Sequence, residues 1–195
     1  MQTSVLEGGF REAPVEAARA FRAAMRAMAR PGTIETIGAA RPPAPVSSAA
    51  GALILTLCDP ETGLYLAGAY DTPALRDWIA FHIGAPVVGA PKARFALGTW
   101  EALLPLAQYP AGTPEYPDRS ATLIVEMARL EASGAHLSGP GIRATAQLSL
   151  PDPDQMRANA ARFPQGLDFF LTCGSLVAAL PRSTRVHGPQ AAPCM

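Results

Sequence analysis

The sequence predicts an α/β fold in which a central mixed sheet is flanked by helices. Segments with helical spacing and segments with strand patterns interleave along the chain, and no repeat period is present. A length of 195 residues suits one substantial hydrophobic core and is too short for two. We therefore expect a single α/β domain over residues 1–186 and a flexible C-terminal tail at 187–195, which has no periodic pattern.

The most regular helical pattern lies near the N-terminus, in PVEAARAFRAAMRAMARPG. It begins at Pro14, a favoured first-turn residue, and it stops at the Pro31-Gly32 pair. The larger apolar residues fall near one face, and they are Val15, Phe21, Met25 and Met28. The arginines form the polar side, and they are Arg19, Arg22, Arg26 and Arg30. This pattern predicts an amphipathic helix.

The next stretch predicts a strand, a helix and a second strand. TIETIG alternates apolar and polar residues as a short strand does, and RPPAP follows as a linker. SSAAGALILTLCDP places serine caps before an apolar run that closes at Asp59-Pro60, which indicates a buried helix. ETGLYLAG is typical of a turn followed by a strand.

A capped helix opens the middle of the chain, in TPALRDWIAFHIGAP. Thr72 is the expected cap, Pro73 occupies the first turn and Gly84 ends the helix. PVVG and ARFALG are then candidate strands, and a short helix is expected from Trp100 to Leu106.

The second half contains the strongest strand signal. A proline-rich loop, YPAGTPEYPDRS, leads into SATLIVEM, whose nearly continuous apolar run is typical of a central buried strand. AHLSGPGI predicts a strand that ends in a turn with unusual backbone angles, an interpretation we prefer to a phosphate-binding loop. PDPDQMRANAARFP predicts a short helix, and FPQGLDFFLTC and SLVAALPR predict two final strands.

The composition favours a protein partner and argues against nucleic acid. Hydrophobic residues make up 49% of the chain and charged residues only 16%, a sparsely charged surface that is often partly covered by another chain. An alanine-rich composition produces similar percentages without a partner. Sixteen basic residues balance sixteen acidic ones and no block of like charge occurs, so no surface suited to a phosphate backbone is expected.

The apolar runs ALILTLC, TLIV and LVAAL are far too short to span a membrane, and no signal pattern opens the chain. We therefore expect a cytoplasmic protein. The three cysteines are widely separated and fit neither a disulfide framework nor a zinc site. They are expected as reduced thiols, Cys58 and Cys173 in the core and Cys194 on the tail.

Few residues suggest chemistry. The histidines (His82, His136, His187) lie in separate predicted elements, so no metal site is expected. There is no GxSxG elbow, Walker loop or GxGxxG motif, although a triad built from distant residues stays open.

Three residues remain as catalytic candidates. His82 lies in the last turn of its predicted helix, where a structural role at the helix end is favoured over acid-base chemistry. Asp168 enters an apolar strand and needs a partner, and Arg182 is the natural one. A buried structural pair is favoured over a substrate clamp.

Six segments in this order resemble the PhnH family, the H subunit of bacterial carbon-phosphorus lyase. They are AFRAAMRAMARPG, LTLCDPET, FHIGAP at 81–86, LSGPGI at 137–142, FPQGLDFFLTCG at 163–174 and ALPRST at 179–184. The family pattern usually has threonine at positions 83 and 183, where this chain has isoleucine and serine.

The resemblance implies a fold like the large domain of pyridoxal-phosphate-dependent transferases without the cofactor site, and a homodimer when isolated. It implies partnership with carbon-phosphorus lyase subunits G, I and J, in the coupling of alkylphosphonate to the ribose of a nucleoside triphosphate. The residues agree that no cofactor is bound, because the only lysine, Lys92, stands in a predicted turn.

The expected function is therefore that of a non-catalytic or accessory subunit of the carbon-phosphorus lyase core complex in phosphonate catabolism. The alternative is an independent small-molecule enzyme with a site near His82, Asp168 and Arg182. A third possibility is an architectural dimer without a ligand.

Overall fold

A computed structural model of the chain describes residues 7–188. The helices are α1 (Ala13–Ala29), α2 (Ser48–Leu57), α3 (Pro73–His82), α4 (Trp100–Leu103) and α5 (Pro153–Ala160). The strands are β1 (Glu35–Thr36), β2 (Leu64–Leu66), β3 (Phe95–Thr99), β4 (Thr122–Glu126), β5 (Ala135–Ser138), β6 (Ala146–Leu148), β7 (Asp168–Cys173), β8 (Leu176–Leu180) and β9 (Arg185–His187).

The larger sheet has six strands in the order β1-β8-β7-β4-β3-β2. Strands β2, β3, β4 and β7 run parallel to one another, whereas β8 and β1 are antiparallel to their neighbours. The prediction of an α/β fold with a mixed sheet is confirmed. The apolar run of β4 lies in the interior of this sheet, as its sequence predicted.

Successive residues of the central strands supply two hydrophobic clusters on opposite faces of the sheet. Ile124 and Phe170 contact the cluster that includes residues of α1, α2 and α3. Leu123, Phe169 and Leu171 contact the other cluster, which includes residues of α4, α5 and a second sheet. This alternation follows from the two-residue period of a strand, and it places helices on both sides of the sheet.

The second sheet has three antiparallel strands in the order β6-β5-β9. The sequence indicated β5 but neither β6 nor β9, so the expectation that β7 and β8 are the final strands was wrong. Each missed strand has three residues of which only one is buried, too short a pattern to detect. His187 belongs to β9, and residues 189–195 of the expected tail lie outside the described residues.

Helix α1 spans the predicted range, but its packing face differs from the expected one. Its buried residues are all alanines: Ala20, Ala23, Ala24 and Ala27. Val15, Phe21 and Met25 are exposed. Small side chains let the helix approach α2 and β8 closely, so the large apolar residues face outward.

The predicted caps of α2 and α3 are present. The Ser47 hydroxyl accepts a hydrogen bond from the Ala50 amide at 3.1 Å, and the Thr72 hydroxyl accepts one from the Leu75 amide at 3.2 Å. Gly84 follows α3 with φ of +66°, in the left-handed region that favours glycine at a helix end. PVVG forms no strand, and only Val87 bridges to Leu64.

Within residues 7–188, no helix combines the length and apolar character required to cross a bilayer.

Candidate functional site

Asp168 and Arg182 form the pair that the sequence suggested. Asp168 begins β7, and Arg182 follows the end of β8, the antiparallel neighbour of β7. The Asp168 carboxylate accepts hydrogen bonds from the Arg182 backbone amide at 2.8 Å, from its Nε and from its Nη2. The Asp168 side chain is only 21% exposed and the Arg182 side chain 13%. The pair is therefore largely removed from solvent.

The other donors of Arg182 hold the loop that precedes β4. Nη1 donates to the Pro117 carbonyl at 2.6 Å, and Nη2 also donates to the Ser120 hydroxyl. Four of the five guanidinium hydrogens thus have partners within the chain. This arrangement joins the loop to β7 and β8, and it leaves little donor capacity for a ligand.

His82 contacts the segment at the start of the described chain. Its Nε2 lies 3.3 Å from the Glu7 carbonyl oxygen, which also accepts a hydrogen bond from the Trp78 indole at 3.2 Å. The imidazole ring packs against Trp78 and Phe81, with centroid separations of 5.0 and 4.9 Å. These contacts are those of a residue that holds the segment against the end of α3.

The structure separates His82 from the Asp168–Arg182 pair. His82 lines a cavity of about 480 Å³ together with Arg11 and Arg41. Arg182 lines a different cavity, of about 490 Å³, together with Phe163. No hydrogen bond or ion pair connects His82 to either partner of the pair, all three being within the described residues.

Three of the resemblance segments meet at the second cavity. Gly139 and Pro140 come from LSGPGI, Phe163 from FPQGLDFFLTCG, and Arg182 and Ser183 from ALPRST.

The glycine loop of LSGPGI adopts the unusual backbone angles expected of it. Gly139 and Gly141 have φ of +133° and +80°. A Cβ at Gly141 would lie 1.9 Å from the Ala29 carbonyl oxygen. The loop therefore packs directly against the end of α1, a contact that requires glycine.

Glu126, at the carboxyl end of β4, was not among the functional residues predicted from the sequence. Its carboxylate accepts hydrogen bonds from the Ser47 backbone amide at 2.7 Å and from the Thr172 hydroxyl at 3.0 Å. Burial raises the pKa of Glu126, and the hydrogen bonds from Ser47 and Thr172 partly oppose that rise. Burial, with a smaller contribution from the Glu126 charge, raises the pKa of Tyr70 to about 12.

Only part of the Glu126 environment could be detected in the sequence. A carboxylate directly after the apolar run TLIV is a signal, because an acidic residue there must find partners at the end of a buried strand. One partner, Ser47, is 79 residues away and is brought to Glu126 by the fold. The carboxylate occupies the start of α2, where the helix dipole favours negative charge.

A serine–histidine contact was also not predicted. The Ser138 hydroxyl lies 2.7 Å from His187 Nε2, between β5 and β9. Among the hydrogen bonds of residues 7–188, none joins a carboxylate to the other ring nitrogen of His187. The contact is exposed and lacks the orienting group of a catalytic triad.

The thiols and the lysine occupy separate environments. Cys58 is buried, and burial raises its pKa to about 12. Cys173 is half-buried rather than in the core, and Cys194 lies outside the described residues. Lys92 is exposed in a short turn before β3. Residues 7–188 contain no group of three or more metal-binding side chains.

Comparison with known proteins gives a consistent assignment. The family model of the bacterial phosphonate metabolism protein PhnH matches residues 8–187. The chain is similar to the alpha-D-ribose 1-methylphosphonate 5-triphosphate synthase subunit PhnH of Rhizobium meliloti, with 42% identity over 95% of this chain and 98% of that protein. It is also similar to HtxG of Stutzerimonas stutzeri, described as a C-P lyase subunit, with 31% identity over 93% and 96%. The chain therefore belongs to the PhnH family of bacterial phosphonate metabolism proteins.

Proposed function

We propose that this chain is a non-catalytic accessory subunit of a carbon-phosphorus lyase core complex. In that complex it supports the coupling of alkylphosphonate to the ribose of a nucleoside triphosphate. The similarity over nearly the whole chain to a named subunit of a ribose methylphosphonate triphosphate synthase carries this proposal.

The geometry of the charged side chains supports an accessory role. Arg182 and Asp168 bind each other and the loop before β4, and Glu126 binds the start of α2. Within the described residues, these groups hold elements of the fold together. A catalytic site needs such groups directed toward a ligand.

The proposed partners are subunits G, I and J, and the isolated chain is proposed to form a homodimer in the cytoplasm. The fold is proposed to resemble the large domain of pyridoxal-phosphate-dependent transferases without the cofactor site. The exposed position of Lys92 supports the absence of the cofactor site, because a Schiff-base lysine is held next to groups that bind the pyridine ring and the phosphate. After incubation with pyridoxal phosphate and dialysis, the chain should retain no cofactor and show no visible aldimine band, and an aldimine at Lys92 that survives dialysis would contradict this assignment.

Coexpression tests the proposal. A tagged sibling subunit should recover this chain from cells that produce all four subunits, and deletion of the chain should abolish growth on methylphosphonate as sole phosphorus source. The purified chain alone should consume neither ATP nor methylphosphonate. Turnover by the isolated chain would instead favour the independent enzyme.

A further inference from the structure

Helix α1 carries a concentrated set of exposed large apolar side chains. Val15, Phe21 and Met25 are 44%, 48% and 52% exposed. The other large apolar residues exposed to this extent, within residues 7–188, lie singly on three other segments: Phe81, Tyr116 and Phe163. The three α1 residues are not needed to pack the helix on its own domain, because the buried alanines do that. We call the exposed side of the helix, centred on Phe21 and Met25, the outer face of α1.

The spacing on this face is that of a helix-docking seam. Ala18, Phe21, Met25 and Met28 follow one another at steps of three, four and three residues. This is the a/d spacing with which one helix packs along another. Met28, at the end of the seam, is half-buried against the domain core, and the seam is open from Ala18 to Met25.

The charges beside the seam are basic. At about 100° per residue, Arg22 lies about 60° around the helix from Met25, whereas Arg19 lies about 120° from Met25 and lines a cavity with Glu16 and Thr36. The ion pairs of residues 7–188 include neither Arg19 nor Arg22, and the remaining residues of the chain contain no acidic side chain. One edge of the seam therefore presents the guanidinium group of Arg22, which a partner can pair.

The one acidic residue within α1 is Glu16, near the start of the helix. Glu16 accepts hydrogen bonds from the backbone amides of Arg11 and Glu12, so its carboxylate stabilises the N-terminal end of the helix. From Arg19 to the C-cap residue Arg30, the only charged residues are arginines.

We infer that the outer face of α1 binds an amphipathic helix with an acidic flank, carried by a sibling subunit of the complex. The inference rests on the proposed function. Half-exposed phenylalanine and methionine side chains supply the apolar centre of such an interface, and Arg22 supplies a positive charge at its rim. A second copy of this chain fits less well, because a two-fold contact places a face against itself and would bring arginines together.

The test is recovery of this chain with a tagged sibling subunit from cells that produce the whole complex. Phe21→Glu should lower recovery at least about tenfold, the effect of losing one anchor side chain. Phe163→Glu is the matched control, because it places the same charge on another exposed aromatic residue, and it should change recovery by less than about twofold. Circular dichroism and thermal melting of each purified variant show whether the fold is kept.

A charge reversal at the exposed residue Arg22 provides a second variant that removes no apolar side chain. At low salt, less of the Arg22→Glu variant than of the parent chain should be recovered with the tagged subunit. The amount recovered should also change less with salt concentration, because the attraction to the acidic partner is lost.

The outcomes separate the inference from the proposed function. Parental recovery of folded Phe21→Glu and Arg22→Glu would overturn the inference while leaving the subunit role intact. Absence of the parent chain from the complex would overturn both. If Phe21→Glu dissociates an isolated dimer but still joins its siblings, the outer face binds a second copy and the inference is wrong.

Discussion

Replacing Arg182 with alanine should destabilise the domain strongly. The substitution removes the guanidinium contacts to Asp168, Ser120 and the Pro117 carbonyl, and leaves the Asp168 carboxylate with the backbone amide of residue 182 as its remaining donor. An uncompensated buried charge costs about 3–5 kcal/mol. Since Asp168 retains 21% exposure and one hydrogen bond, we expect the lower end, about 3 kcal/mol.

This loss should be visible in melting and in denaturant unfolding. For a domain of this size, about 3 kcal/mol corresponds to a fall in melting temperature of roughly 6–12 °C. Asp168→Asn keeps the shape and one acceptor oxygen, so its cost should be smaller, about 1–2 kcal/mol. Arg162→Ala is the control, because Arg162 is exposed and makes no ion pair among the described residues, and it should cost less than about 0.5 kcal/mol.

A double-mutant cycle decides whether the pair acts as a unit. Asp168→Asn combined with Arg182→Ala should cost less than the sum of the single changes by at least about 1 kcal/mol. Additive costs, or a cost for Arg182→Ala below about 1 kcal/mol, would refute the structural interpretation. Loss of growth on methylphosphonate by a variant that keeps parental stability would show that Arg182 acts on a ligand or partner instead.

Three other substitutions or probes have defined expectations. Burial raises the folded-state pKa of Glu126, so its ionisation destabilises the folded protein. This destabilisation is absent well below the ordinary pKa of 4.5 and complete above the raised pKa. The unfolding free energy of Glu126→Gln minus that of the parent chain, measured by urea titration, should therefore increase as pH rises from acidic to neutral. Cys58, whose pKa burial raises to about 12, should resist a thiol reagent in the native state and react once urea unfolds the chain, whereas native labelling as fast as that of half-buried Cys173 would contradict its burial. His82→Ala should lower stability by about 1 kcal/mol through lost ring contacts and leave growth on methylphosphonate intact, and loss of growth with stability and assembly preserved would assign His82 a functional role.

The helices and the larger sheet were predictable because their signals are local. Caps such as Ser47 and Thr72 mark helix starts, and the apolar run of β4 marks a central strand. The pairing of Asp168 with Arg182 was also accessible, since a carboxylate in an apolar strand needs a cation and the neighbouring strand ends in one.

The remaining features depend on long-range geometry. Whether α1 packs through alanine or through its larger residues depends on how closely β8 approaches, which the helix pattern does not contain. The contact between Glu126 and Ser47 joins distant segments, and β6 and β9 are strands only because β5 pairs with both. The packing of His82 on Trp78 could be anticipated from their spacing, but the position of Glu7 beside it could not.

Both edges of the six-stranded sheet are poorly suited to accept another strand. At one edge β1 has only two residues, and Glu35 within it pairs with Arg26 at 2.8 Å. At the other edge Leu64 of β2 already exchanges backbone hydrogen bonds with residues 86–88. Exposed strand edges are the usual templates for uncontrolled aggregation, and short or covered edges suppress it. The six-stranded sheet is thereby protected from the commonest route of self-association, although α1 exposes large apolar side chains.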